Sequence, residues 1–138
     1  MDEMEDVVPE DLPTPPPHVD GALMISFGAV HPGREALAVD TFVELSRYLG
    51  RLLDAGLINS FKPYFFADGQ VGDISGFFLL EGRREALEEV RREGPFQRII
   101  LRTGAATRNV RTSMLVAGSE AGRLVNLYRE IREELGLL

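Results

Sequence analysis

His31 is the only histidine between residues 21 and 138, and it stands where an apolar run ends at Pro32 and Gly33. An imidazole leaving a strand could serve as a general base at the mouth of a pocket. Glu35 lies one turn on, and Asp68 and Asp73 lie further along, so acid partners exist, although spacing alone shows no contact. One histidine without an orienting carboxylate is more often a loop residue with no catalytic task. Tyr64 is the second candidate, the one phenol in a run with Phe61, Phe65 and Phe66. Those rings could line an apolar cavity in which the hydroxyl holds or protonates a substrate; the plainer reading is a strand's core face and a dimer seam. Ser26 and Ser113 are polar groups inside apolar strands, and with Met24, Phe66 and Phe78 they complete the candidate ligand-binding set. A hydroxyl in such a place commonly bonds the nearby backbone instead. Arg102, Arg108 and Arg111 could hold a carboxylate or phosphate, though acids elsewhere make solvated surface the plainer reading.

Several chemistries have no residues to run on. With no cysteine, the chain forms neither disulfides nor thiolate metal sites and has no thiol nucleophile. It lacks a glycine fingerprint for dinucleotides, a phosphate loop and an H-E-x-x-H run, and Gly69-Gln70-Val71-Gly72 reads as a loop. No metal site is expected, and no cofactor is called for; haem and flavin stay open.

The net charge of −7 is unevenly spread. Seven of the 22 acids fall in the first twenty residues, which hold no Lys or Arg, so 15 acids face 15 bases from residue 21 onward. A formally neutral domain has no clustered positive field for a phosphate backbone, and neither nucleic acid nor an anionic membrane is expected as a partner. No basic n-region opens the chain, and no segment has the ~18 uninterrupted apolar residues of a membrane span, so the expected location is the cytoplasm. Residues 1 to 20 combine acids with Pro9, Pro13, Pro15, Pro16 and Pro17 and read as a disordered, polyproline-like tail that could recruit a protein partner. Residues 21 to 138 are one domain of the usual size.

The elements that must position the candidates follow from periodicity. Gly21 to His31 sets Leu23, Ile25, Phe27 and Ala29 against Met24, Ser26, Gly28 and Val30, a strand. Ala38, Phe42, Leu45, Leu49 and Leu52 then mark a helix from about Arg34 to Asp54, stopped by Gly56. Leu57 to Ala67 is a second strand, confined by Pro63 to an edge or a bulge, and a turn-rich connection leads to a third over Ile74 to Glu81. A helix follows in Arg83 to Glu93. Pro95, Phe96, Ile99, Ile100 and Thr103 favour another short helix, with a strand over 98 to 103 as the alternative. Val110 to Ala117 is the fourth strand, and Ser119 is expected to cap a last helix with Ala121, Leu124, Val125, Tyr128, Ile131 and Leu135 in one stripe.

This order is that of an α+β, ferredoxin-like split βαβ domain: a four-stranded antiparallel sheet with helices on one face, plus an extra C-terminal helix. The first three strands carry apolar groups on both faces, which a lone domain would leave wet. A twofold partner presenting the same face would cover it, so a homodimer is expected.

The strand end Ala29-Val30-His31-Pro32-Gly33-Arg34-Glu35, the long helix after it, and Phe77-Phe78-Leu79-Leu80-Glu81-Gly82 leading into Arg83-Arg84-Glu85-Ala86-Leu87 resemble the dimeric α/β-barrel superfamily. The antibiotic-biosynthesis monooxygenase-like, YCII-related and NIPSNAP-like groups belong to that superfamily. The resemblance covers about residues 21 to 118 and implies two ferredoxin-like sheets packed face to face. It fixes architecture better than activity, because such relatives include cofactor-free oxygenases, isomerases, haem enzymes and ligand-binding domains.

Two functions from different classes follow as expectations. One is a homodimer that binds an apolar small molecule between sheet and helices, acting on it without a cofactor if His31 serves as base. The other is a non-catalytic module that dimerises through its sheet and recruits a partner through its tail or last helix.

Overall fold

The computed structural model describes residues 19 to 137. The expected tail therefore lies outside the described residues, except for its last two positions, which are part of the domain. Val19 is buried, and the Asp20 carboxylate accepts the Arg84 backbone N–H at 2.7 Å, capping a helix start that has no side-chain cap of its own.

The elements run β1 (Gly21–Phe27), α1 (Glu35–Asp54), β2 (Ser60–Phe65), β3 (Gly76–Gly82), α2 (Arg84–Arg92), α3 (Gly94–Ala106), β4 (Arg111–Val116) and α4 (Ser119–Glu134). The strands form one antiparallel sheet in the order β2-β3-β1-β4, the ferredoxin-like arrangement with β1 and β3 central. Pro63 falls on the edge strand β2, where its missing N–H leaves no central ladder position empty.

Register decides which face each side chain takes. Leu23 pairs with Leu80 and Met114, and Ile25 with Phe78, so these residues share the face under the helices. There they join Leu45, Leu49 and Leu52 of α1, Leu87 and Val90 of α2, and Phe96 and Ile99 of α3 in one core. The opposite face carries Met24 beside Leu79 and Ser113, and Ser26 beside Phe77 and Arg111.

Two local expectations need correction, and one open choice is decided. The first strand leaves the ladder at Phe27 rather than His31, because the Gly28 N–H donates to Arg108 O at 2.6 Å and only Val30 bridges again, to Thr107. Residues 98 to 103 are helical, the favoured expectation, and the alternative strand is not formed: Pro95 opens α3, and the spacing of Phe96, Ile99, Thr103 and Ala106 buries one face through its last turn. Gly118, with φ of 61°, takes the cap position that Ser119 was expected to fill, and Ser119 is the first helical residue.

The last helix also packs differently from a core helix. Only Gly122 of α4 is buried, while Leu124, Val125, Tyr128 and Ile131 are 40 to 63% exposed. Its apolar stripe is real, but it meets no matching surface among the described residues. No helix of the described chain is long and apolar enough to cross a membrane.

Candidate functional site

The cavity begins where β1 departs from the sheet. Gly28 is pinned so closely that a Cβ there would lie 2.6 Å from Asp73 O and 2.9 Å from Arg108 O. Beyond it two small residues, Ala29 and Ala38, stand in the lining, where larger side chains would take up the space. The result is a half-open cavity of about 360 Å³ between α1, the ends of the central strands and the last turn of α3. That volume lies within the range of small-molecule sites.

Four phenylalanines from four different elements or their ends form its wall. Phe42 of α1 contacts Phe78 of β3 at 4.9 Å between centroids and stacks on Phe65 of β2 at 5.7 Å. Phe27 of β1 completes a closed circuit, edge-on to Phe65 at 5.8 Å and tilted to Phe78 at 6.5 Å. Each ring thus braces two others, and offset or edge contacts of this kind add about 0.5–1.5 kcal/mol per pair beyond area burial.

The polar lining consists of hydroxyls. Thr41 donates to Ala38 O at 3.0 Å, Thr103 to Ile99 O at 2.8 Å and Thr107 to Thr103 O at 3.0 Å. Ser75, at the end of the β2–β3 connection, is partly exposed. Among the described residues no ionisable side chain lines the cavity.

Of the candidate site residues expected from the sequence, Phe78 lines it, and so does Phe65 from the aromatic run around Tyr64. Tyr64 pairs across the ladder with Phe77 and stacks on that ring at 5.3 Å, which puts it on the opposite face, 44% exposed. Phe66 packs on Phe77 as well, at 6.2 Å. Met24, Ser26 and Ser113 belong to that same outer face by register. His31 follows the lining residue Val30; its N–H donates to Ala106 O and its carbonyl accepts from Arg34 N, so it sits in a turn at the rim with its side chain outside the lining. The set therefore divides between two faces because side chains alternate along a strand, and adjacent residues such as Phe77 and Phe78 part company.

The residues that sequence reasoning passed over are Phe42, Thr41, Thr103 and Thr107. Their signal was present: a threonine on the apolar stripe of a helix needs a partner, and an i−4 or i−3 carbonyl supplies it.

The arginine cluster is dispersed. Arg102 pairs with Glu44 at 3.3 Å across α1 and α3, and Arg111 forks onto Asp73 at 3.0 Å. The hydrogen bond and charge of Arg111 hold the Asp73 carboxyl below the usual carboxylate range. Elsewhere on α1, burial and the nearby Glu93 carboxylate push the Tyr48 hydroxyl up to about 12; it donates to Glu93 Oε2 at 3.2 Å. Among the described residues no group of three His, Asp or Glu side chains is placed to hold a metal ion.

No family model matches the chain, and no curated protein is similar to it in sequence. Solved structures are similar in fold. A conserved protein from Methanosarcina mazei superposes with a TM-score of 0.53 at 11% identity, over 70% of this chain and 92% of that one. A proposed antibiotic biosynthesis monooxygenase from Caulobacter crescentus superposes with a TM-score of 0.51 at 12% identity, over 84% of this chain and 98% of that one. The chain therefore has the ferredoxin-like fold found in antibiotic-biosynthesis-monooxygenase-type proteins, as its sequence pattern implied.

Proposed function

We propose that the protein binds an apolar small molecule in the cavity between α1 and the sheet, and does so as a homodimer. The observation that carries this reading is the closed circuit of Phe27, Phe42, Phe65 and Phe78 that walls a cavity of about 360 Å³, which the described side chains leave unfilled. Packing normally eliminates such a space, since a void lined by rings forfeits contacts on one side. A ligand that enters it recovers those contacts. The test is a thermal-shift screen of the full chain against haem, flavins and uncharged aromatic compounds. A ligand at about 100 times its Kd stabilises the folded state by about 2.7 kcal/mol, which a melting curve resolves. No shift from any of them would count against the reading.

The exposed outer face supports the dimer reading. Tyr64 and Leu115 are 44% and 38% exposed there, next to Met24, Phe77 and Leu79, and the α4 stripe is bare as well. A twofold partner buries like against like, and it does so with one surface rather than two.

A catalytic version keeps the same cavity and adds a base at its rim. The fold shared with a proposed monooxygenase favours it, and His31, one residue beyond the lining, is the group that would take a proton from a bound substrate. Oxygen consumption in the presence of a bound aromatic, lost in His31→Ala, is its test. Consumption that His31→Ala leaves unchanged removes His31 from the mechanism.

A further inference from the structure

Resting on the homodimer reading, we infer that α4 is part of the dimer seam: its apolar stripe packs along α4 of the second copy as a short two-stranded coil. The inference comes from the spacing and the direction of that stripe. Ala121, Leu124, Tyr128, Ile131 and Leu135 follow one another at three, four, three and four residues, a repeat that lets one helix seat its side chains between those of another. In α1 the same spacing is buried in the core, whereas in α4 it is left bare. Leu124, Tyr128, Ile131 and Leu135 are 40 to 65% exposed, with exposed Val125 and Leu127 beside them. Gly122 is buried, and Asn126 and Arg129 are half-buried, on the opposite side of the helix. The stripe therefore points away from its own domain.

Charge and position select a second copy as the occupant. A lipid surface does not fit, because α4 carries four acids and three bases, with Glu120 already held by Arg123 at 2.6 Å, and so offers no cationic flank. The core of its own domain does not fit either, since Leu23, Ile25, Phe78 and Leu80 already lie under α1, α2 and α3. Leu115, exposed on the outer face, stands four residues before the helix begins, so the stripe continues the surface that the dimer reading covers. A twofold axis through that surface carries α4 to α4 and lets each bare stripe cover an identical one. A helix of 16 residues pairs only weakly by itself, so the sheet contact supplies the proximity.

The experiment introduces one thiol at a time into a chain that has none. Tyr128 is the middle residue of the stripe, so a twofold crossing there brings it to its copy whichever way the helices run. Glu130 lies two residues on, about 160° round the helix, and serves as the control. Under copper phenanthroline oxidation of the full chain, Tyr128→Cys should form a disulfide-linked dimer at least about tenfold faster than Glu130→Cys. Ile131→Glu should weaken the dimer by about tenfold or more in sedimentation equilibrium, with circular dichroism unchanged because Ile131 is 42% exposed. Equal cross-linking rates, or an Ile131→Glu protein that dimerises as tightly as wild type, overturn this inference and leave the dimer through the sheet standing. A wild-type chain that sediments as a monomer overturns both.

Discussion

Phe42 of α1 and Phe78 of β3 meet with their ring centroids 4.9 Å apart and their planes at 44°, so one contact both ties the first helix to the sheet and forms the cavity wall. Phe42→Ala should cost about 2–3 kcal/mol, below the usual range for a fully buried ring because Phe42 is partly exposed. Phe42→Leu should cost less. Urea denaturation of the two variants measures both, and equal stability of Phe42→Ala and wild type would show that the circuit does not brace the fold.

Two glycines should respond to alanine with opposite signs. At Gly28 a Cβ would stand 2.6 Å from Asp73 O, and backbone there cannot yield cheaply, so Gly28→Ala should destabilise by about 1–3 kcal/mol. At Gly50, inside α1, nothing lies within 4 Å, and Gly50→Ala should stabilise by about 0.5–1 kcal/mol through helix propensity and a less flexible unfolded chain. Thermal melts of the pair decide it.

The sheet's layout was legible in the sequence because period-two alternation and the punctuation by Pro32, Gly33 and Gly56 are local signals. One missing N–H confined Pro63 to an edge or a bulge, and the edge is what the sheet has. The cavity was not legible, because it arises where β1 leaves the ladder at Gly28, and that departure depends on Arg108, eighty residues away in sequence, accepting its N–H. Tyr64 and His31 attracted notice for their chemistry. Face, set by register with β3, and not residue type, separates Tyr64 from the cavity that Phe65 lines.

Alkaline stability should carry the signature of Tyr48. Its hydroxyl is raised to about 12 chiefly by burial and then by the charge of Glu93, so the folded state holds this proton more tightly than the unfolded chain does. The associated stability is complete below the ordinary tyrosine value near 10 and is lost as pH rises towards 12. Tyr48→Phe should flatten the decline of the melting temperature in that window. An identical slope in the variant would assign the decline to other groups.

The outer face should set the oligomeric state. Phe77→Glu places a charge beside Tyr64 and Ser26, opposite the core, and is expected to yield monomers in sedimentation equilibrium while leaving the circular dichroism of the fold intact. Wild-type protein that sediments as a 15.3 kDa monomer at every concentration would refute the dimer directly.

The most direct test of the cavity as a ligand site compares 1-naphthol binding to wild type and to Ala38→Phe by calorimetry. Ala38 lines the cavity from α1, and a ring in its place fills the space without touching the outer face. The account predicts saturable binding at one site per chain in wild type and at least about tenfold weaker binding in a folded Ala38→Phe protein. Undiminished binding in that variant would put the ligand elsewhere and contradict the account.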